Sequence, residues 1–339
     1  MNKYYSFLFF VCSLCIFIFL SSADARRLTP EEAAAPYPTT APFTTTDGVA
    51  GGGLVPHAHL AGVPHWPYHE EDMEFIRKPQ FGMWYIGLPK GDLNWFNFGG
   101  NVSVFDRLEL GFAFNSVNID EPASVAVDQL GLDLDNNVVA LSGKLMLVKE
   151  KKWIPAISVG AIYKHTDFDN LDLFKQEGEK MYSNNDGVDF FAVASKTFFI
   201  PMPNMDLPLP LFVNAGIKST KGQQLGVVGF GSERDEVFFG STALLLPLDV
   251  IFPFVHKKSG IFILGFEYVD DIDVGMNSLG PMKTKRMWDV HLVYDTCKDL
   301  SFILAYLNTG SNNLQESVRN NLNPSGLGDG IALSMQYQF

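Results

Sequence analysis

Seven potential metal ligands fall between residues 57 and 72: His57, His59, His65 and His69, followed by Glu70, Glu71 and Asp72. Neutral imidazole combined with carboxylate suits zinc or copper, so the four histidines are candidate metal ligands. Their spacing matches no recurring site template, and Pro56, Pro64 and Pro67 make the stretch read equally as a loop or a plug. A second set of polar residues is spread along the chain at every other position of otherwise apolar segments. Its members are Asn97, Asn101, Glu109, Asn115, Lys144 and Lys164, then Asn214, Lys218, Glu267, Asp289, His291 and Asp295, with Ser103, Ser142 and Ser158 at equivalent positions. Both signs of charge on one face suit either an internal network that fixes strand register or the lining of a passage for a small polar solute. Catalysis requires a nucleophile, a base and an orienting group, and no such constellation is legible. Ser301 and Ser334 have no histidine nearby in sequence, and His291 with Asp289 is a spacing common by chance. The run from Gly226 to Gly231 lacks the lysine and following helix of a phosphate loop and reads as an external loop. The expectation is a protein without enzyme activity and without a cofactor.

The elements that carry these residues have a period of two. Ile331, Leu333, Met335, Tyr337 and Phe339 alternate with Ala332, Ser334, Gln336 and Gln338, and Trp288, Val290, Leu292 and Tyr294 oppose Asp289, His291, Val293 and Asp295. Such alternation marks strands with two unlike faces. Twelve segments follow the pattern, centred near residues 84, 99, 112, 143, 159, 193, 214, 242, 265, 291, 304 and 334. Short turns, such as Phe105-Asp106-Arg107 and Glu150-Lys151-Lys152, alternate with long polar loops near 118–136, 167–186, 220–236, 271–284 and 310–328. A soluble β-sandwich has no reason to sort its long loops to one end. A lipid-spanning barrel must close its edges and return each hairpin to the same side. The fold expected is therefore all-β: a transmembrane antiparallel β-barrel of 12 strands, with 14 as the runner-up if residues 51–79 add a hairpin. Aromatics fall where interfacial girdles belong, with Trp95, Tyr163, Tyr268, Trp288 and Tyr306 toward the long loops and Phe105, Trp153, Tyr294, Tyr337 and Phe339 toward the short turns.

Composition agrees with an ordered, aromatic-rich chain. Only 19% of its 339 residues are charged, against 47% apolar, which excludes intrinsic disorder. A net charge of −13 has the wrong sign for nucleic acid. Two of the three cysteines, Cys12 and Cys15, lie in the apolar N-terminal stretch, which leaves Cys297 without an intramolecular partner and excludes a disulfide framework. Residues 1–25 read as a signal peptide, with Lys3, an apolar core from Phe7 to Leu20, and Ala23-Asp24-Ala25 as the cleavage site. Residues 26–50, rich in Pro, Thr and Ala, read as a linker, and residues 51–79 as a His-rich plug or cap. Residues 80–339 read as the barrel. In this arrangement the plug histidines are expected to face Glu109, Asp289 and Asp295.

Two resemblances follow from particular motifs. Tyr337-Gln338-Phe339, after alternating apolar residues, is similar to the C-terminal assembly signal of bacterial outer-membrane proteins. Gly51-Gly52-Gly53-Leu54, Phe105-Asp106-Arg107-Leu108-Glu109-Leu110, Trp153-Ile154-Pro155 and Lys221-Gly222-Gln223 leading to Gly229-Phe230-Gly231 resemble, in order, a proteobacterial outer-membrane barrel family of unknown function, domain of unknown function 3034. The chain departs from that pattern in its long Pro/Thr linker and in the histidine-rich stretch before residue 80. The resemblance implies a bacterial outer-membrane location, with outer-membrane lipids and the insertion machinery as partners. It implies no catalytic residue. A narrow channel for a small hydrophilic solute is the functional expectation. The alternatives are a structural or assembly role without transport and a barrel enzyme acting on lipid.

Overall fold

A computed structural model describes residues 42–63, 73–89, 93–119, 136–167, 185–201, 208–227, 229–247, 261–277, 280–296, 300–310 and 326–339. The expected signal peptide, most of the linker, and His65 and His69 lie outside the described residues. Two short strands come first, β1 (Phe43–Thr44) and β2 (Ala50–Gly51). They are followed by β3 (Gln80–Leu88), β4 (Leu93–Val104), β5 (Leu108–Ile119), β6 (Asn136–Val148), β7 (Ala156–Thr166), β8 (Asp186–Ile200), β9 (Leu209–Gly222) and β10 (Phe230–Pro247). The remainder are β11 (Ile261–Val269), β12 (Ile272–Asn277), β13 (Gly280–Thr284), β14 (Met287–Asp295), β15 (Leu300–Gly310) and β16 (Gly326–Gln338).

Twelve of these strands close into one antiparallel barrel. Neighbours in sequence are neighbours in space, β11 pairs with β14 across the β12–β13 hairpin, and β16 pairs with β3 to seal the cylinder. The 14-strand alternative, a hairpin from residues 51–79, is not formed among the described residues: β3 pairs directly with β16 and β4, and residues 73–79 add only an isolated bridge from Ile76 to Val104. Closure leaves no free edge, which a sheet in lipid requires.

The alternation sorts side chains as a transmembrane barrel must. Outward positions are exposed and apolar, among them Leu110 (47%), Leu141 (54%), Phe190 (53%), Leu304 (51%) and Leu333 (52%). A soluble domain does not expose a continuous apolar surface of this kind, whereas a lipid-facing band does. Tyr163, Tyr306, Phe105, Trp153, Tyr337 and Phe339 are exposed, as expected for interfacial aromatics. Trp95 corrects that assignment. It is buried, and its Nε1 donates to Asn115 Oδ1 at 2.9 Å. Its parity is that of Asn97 and Asn101, so the pleat turns it inward whatever its height.

The long-loop end differs from expectation between β9 and β10. The polar stretch 220–236, expected as loop, is mostly strand, and the turn shrinks to residues 223–229 with a 3₁₀ turn at Gln223–Gly226. Buried Leu225, Val227 and Phe230 fold this turn inward. The expected loop 271–284 is largely the β12–β13 hairpin, whose buried Ile272 and Val274 pack on the extended β10. At the other end, Phe105 and Asp106 both have positive φ (54° and 50°), and Arg107 N–H donates to Val104 C=O at 3.1 Å. Left-handed backbone at a phenylalanine is uncommon and needs support from outside the turn. Arg77 gives it, donating from Nε and Nη2 to the two Asp106 oxygens at 2.7 and 2.9 Å. Residues 73–79, expected within the plug, instead lie at this rim, where Ile76 bridges to Val104 and Phe75 meets the edge of Phe105 at 4.7 Å.

Candidate functional site

Residues 42–63 are almost entirely buried, and their backbone is hydrogen-bonded to inward side chains of the barrel strands. Thr44, Thr45, Thr46 and Asp47, within the stretch expected as linker, are all buried. A Pro/Thr/Ala composition cannot form a core in water. Beside a polar wall its carbonyls and amides find partners instead. Trp84 Nε1 donates to Thr44 C=O at 2.8 Å, and Asn97 and Asn115 both donate to Thr46 C=O at 3.1 Å. Ser158 donates to Ala58 C=O at 2.5 Å, Ser103 to Ala61 C=O at 2.6 Å and Asn214 to Pro56 C=O at 3.1 Å.

Glu109 and Lys144 form the centre of this contact. They are register partners on β5 and β6, 3.2 Å apart, with side chains 1% and 0% exposed. Glu109 accepts from the amides of Ala50 and Ala61, each at 2.8 Å. Lys144 Nζ donates to the carbonyls of Ala50, His57 and His59 at 2.9, 3.1 and 2.8 Å. Charged hydrogen bonds of this type are the stronger ones, and here each joins the wall to the segment inside it. The crossing is close. Gly48 has φ +77° and a Cβ there would lie 2.5 Å from the Phe112 carbonyl carbon, so glycine is required on both counts.

All twelve residues expected to line the lumen are buried. They do not form one assembly. Lys164 bridges Asp47 and Asp189 at 3.0 and 2.9 Å, with Lys218 close to the same two acids. Glu267 faces Asp289 across β11 and β14 and accepts from Leu54 N–H at 2.6 Å. His291 Nδ1 lies 2.6 Å from Asp289 Oδ1. Asn101 and Asp295 are buried away from both clusters, near the short-turn end.

Two of these histidines, His57 and His59, are among the described residues. His59 Nε2 is 2.7 Å from Glu150 Oε2, and Glu150 also accepts from Lys196 Nζ and the Thr197 amide at 2.8 Å each. His57 Nε2 lies 3.2 Å from Ser241 Oγ, with its ring 4.5 Å from Phe212. The two imidazoles thus take separate partners. Glu150 was not legible in sequence because it sits in a charged turn that reads as solvated, yet it is folded under the barrel and 1% exposed. Asp189 and Gln336 carry the right parity within their strands, so a stricter reading of the alternation would have found them, whereas Lys196 has the outward parity of Phe190 and is buried only through its contact with Glu150.

The profile described as "Protein of unknown function (DUF3034)" matches residues 40–320. The chain belongs to the DUF3034 family. That match takes in the buried N-terminal segment together with most of the barrel of this DUF3034 protein. No curated protein matches it in sequence. Among solved structures, Omp33 of Acinetobacter baumannii aligns at 9% identity and a TM-score of 0.39, covering 78% of this chain and 99% of that one. The COG4313 outer membrane channel of Pseudomonas putida F1 aligns at 11% identity and a TM-score of 0.39, covering 82% and 100%. The NanC porin aligns at 9% identity and a TM-score of 0.39, covering 76% and 98%.

Proposed function

We propose that this protein is a channel of the bacterial outer membrane, shut by its own N-terminal segment, that passes a small hydrophilic solute when the segment leaves the lumen. Residues 42–63 are the plug. The twelve inward polar residues from Asn97 to Asp295 are the wall it uncovers, and lipids of the outer membrane surround the exterior. The observation that carries this reading is the way the plug is held. Its backbone is satisfied chiefly by charged and polar wall groups, Glu109 and Lys144 foremost, rather than by a core of its own. A barrel filled only for rigidity can be packed with apolar side chains, whereas this wall would stay wettable once emptied. Among the described residues, cavities of about 60 Å³ and about 20 Å³ lie beside the seated plug, each with room for a few waters at most.

Planar-bilayer recording tests this. The full mature chain is expected to stay silent. A variant lacking residues 42–63, shown to be folded by heat-modifiable gel migration, is expected to give steady conductance steps. A folded, plug-less barrel that remained silent would overturn the channel reading and favour a structural role.

A further inference from the structure

The cluster opposite the Gly51-Gly52-Gly53 turn holds more negative charge than its neighbours neutralise. Glu267 and Asp289 are register partners on adjacent strands, 0% and 4% exposed. Glu267 Oε2 accepts from the Leu54 amide, but Oε1 accepts no hydrogen bond. His291 completes the group, and donor atoms from all three residues lie within 4.8 Å of one another. A fourth donor comes from the segment in the lumen. Glu267 Oε1 and His57 Nε2 lie 1.9 and 3.3 Å from the single point that a Cβ at Gly52 would occupy. Gly52 therefore keeps open the space between a wall carboxylate and a plug imidazole. The cavity of about 60 Å³ is lined by the same residues, Gly52, His57, Ser241, Glu267 and His291.

We propose that Glu267, Asp289, His291 and His57 bind one divalent transition-metal ion of the zinc class. Two carboxylates and two imidazoles are a donor set for zinc rather than for calcium or magnesium, which take oxygen alone. Donor atoms around tetrahedral zinc are roughly 3.3 Å apart, and the three wall donors already lie within 4.8 Å of one another. The ion neutralises the paired carboxylates and gives Glu267 Oε1 its missing partner. It also ties the lumen segment to β11 and β14, on the side of the barrel opposite in strand order to Glu109 and Lys144. His59, held by Glu150, is not a ligand. The inference rests on residues 42–63 lying in the lumen and not on conduction, so its test reads binding alone.

The full mature chain, purified through a tag without histidine and refolded with cobalt(II) before dialysis, is expected to retain one cobalt per chain. The ion should show ligand-field absorption and be displaced by zinc. Retention is expected to fall at least tenfold in Glu267→Gln, Asp289→Asn and His291→Gln, and likewise in His57→Gln and Gly52→Ala, which leave the barrel wall unchanged. His165→Gln, at an exposed histidine paired with Asp186 and Asp167, is the control for surface binding and is expected to retain the ion. Cobalt binding absent from the parent protein would mean that the two carboxylates share a proton, and would overturn the proposal. Undiminished binding in His57→Gln and Gly52→Ala, or equal loss in His165→Gln, would overturn it as well. Should the wall variants fail to fold, the two plug variants decide.

Discussion

Replacing Glu109 by Gln should release the plug far more than it weakens the barrel. The substitution keeps the side chain's volume and one acceptor, but it leaves the Lys144 ammonium, whose side chain is 0% exposed, without its counter-ion. Breaking one partner out of a buried ion pair costs about 3–5 kcal/mol. The amides of Ala50 and Ala61 also share one acceptor where each had its own at 2.8 Å, which adds about 1–3 kcal/mol if one is left unsatisfied. The lower bound of about 3 kcal/mol corresponds to about a 10²-fold larger open population of the segment. Native-state proteolysis of the full chain in detergent reads that population directly, because cleavage follows the equilibrium when reclosing is fast. Cleavage within residues 42–63 is expected to accelerate by about two orders of magnitude. Lys144→Met alone should act in the same direction, since it strands the Glu109 carboxylate. The double variant should cost at least about 1.5 kcal/mol less than the sum of the two, because neither charge is then left alone. A change in cleavage of less than about threefold in Glu109→Gln, or strict additivity of the pair, would refute the clamp.

Gly48→Ala forces a Cβ to within 2.5 Å of the Phe112 backbone at a φ of +77°, so plug cleavage should rise at least tenfold while heat-modifiable migration of the barrel persists. Burial alone would raise the Asp106 carboxyl, but hydrogen bonding and charge from Arg77, with Lys149 beside it, hold it below its ordinary value. A depressed carboxylate contributes stability that is present above the unfolded pKa, about 3.9, and lost as pH falls through the folded one. Asp106→Asn should therefore lower the heat-modification midpoint by a constant amount above about pH 5, and the difference should vanish in stronger acid. Removing Phe339, which packs edge-on against Phe81 at 5.6 Å and Tyr337 at 4.9 Å, should reduce the amount inserted in cells more than it lowers the midpoint of refolded protein. Equal effects on both readings would count against an assembly signal at Tyr337 and Phe339.

Strand number, strand centres and the inward or outward sense of nearly every side chain were legible in the sequence. A strand between lipid and a polar interior must alternate with period two, and that signal is local. Trp95 shows the limit of a weaker cue. Its position along the strand suggested an interfacial ring, but its parity, the stronger constraint, turns it inward to Asn115. What packs against the inward side chains was only half visible. The glycines and prolines of residues 51–63 marked a segment that could not join the sheet, but nothing in the composition of residues 42–50 distinguished a tether in water from a chain with satisfied carbonyls. That distinction depends on Trp84, Asn97, Asn115 and Gln336, which reach Thr44 and Thr46 from three consecutive strands, β3 to β5, and from β16 at the far end of the chain. The partners of the charges were settled the same way. Glu150 reads as a solvated turn residue until the barrel closes and puts His59 and Lys196 beside it. Glu267 and Asp289 become neighbours only through the register of β11 against β14. Periodicity belongs to each strand by itself. The pairing of buried charges belongs to the closed cylinder, where desolvation obliges groups from distant strands to satisfy one another.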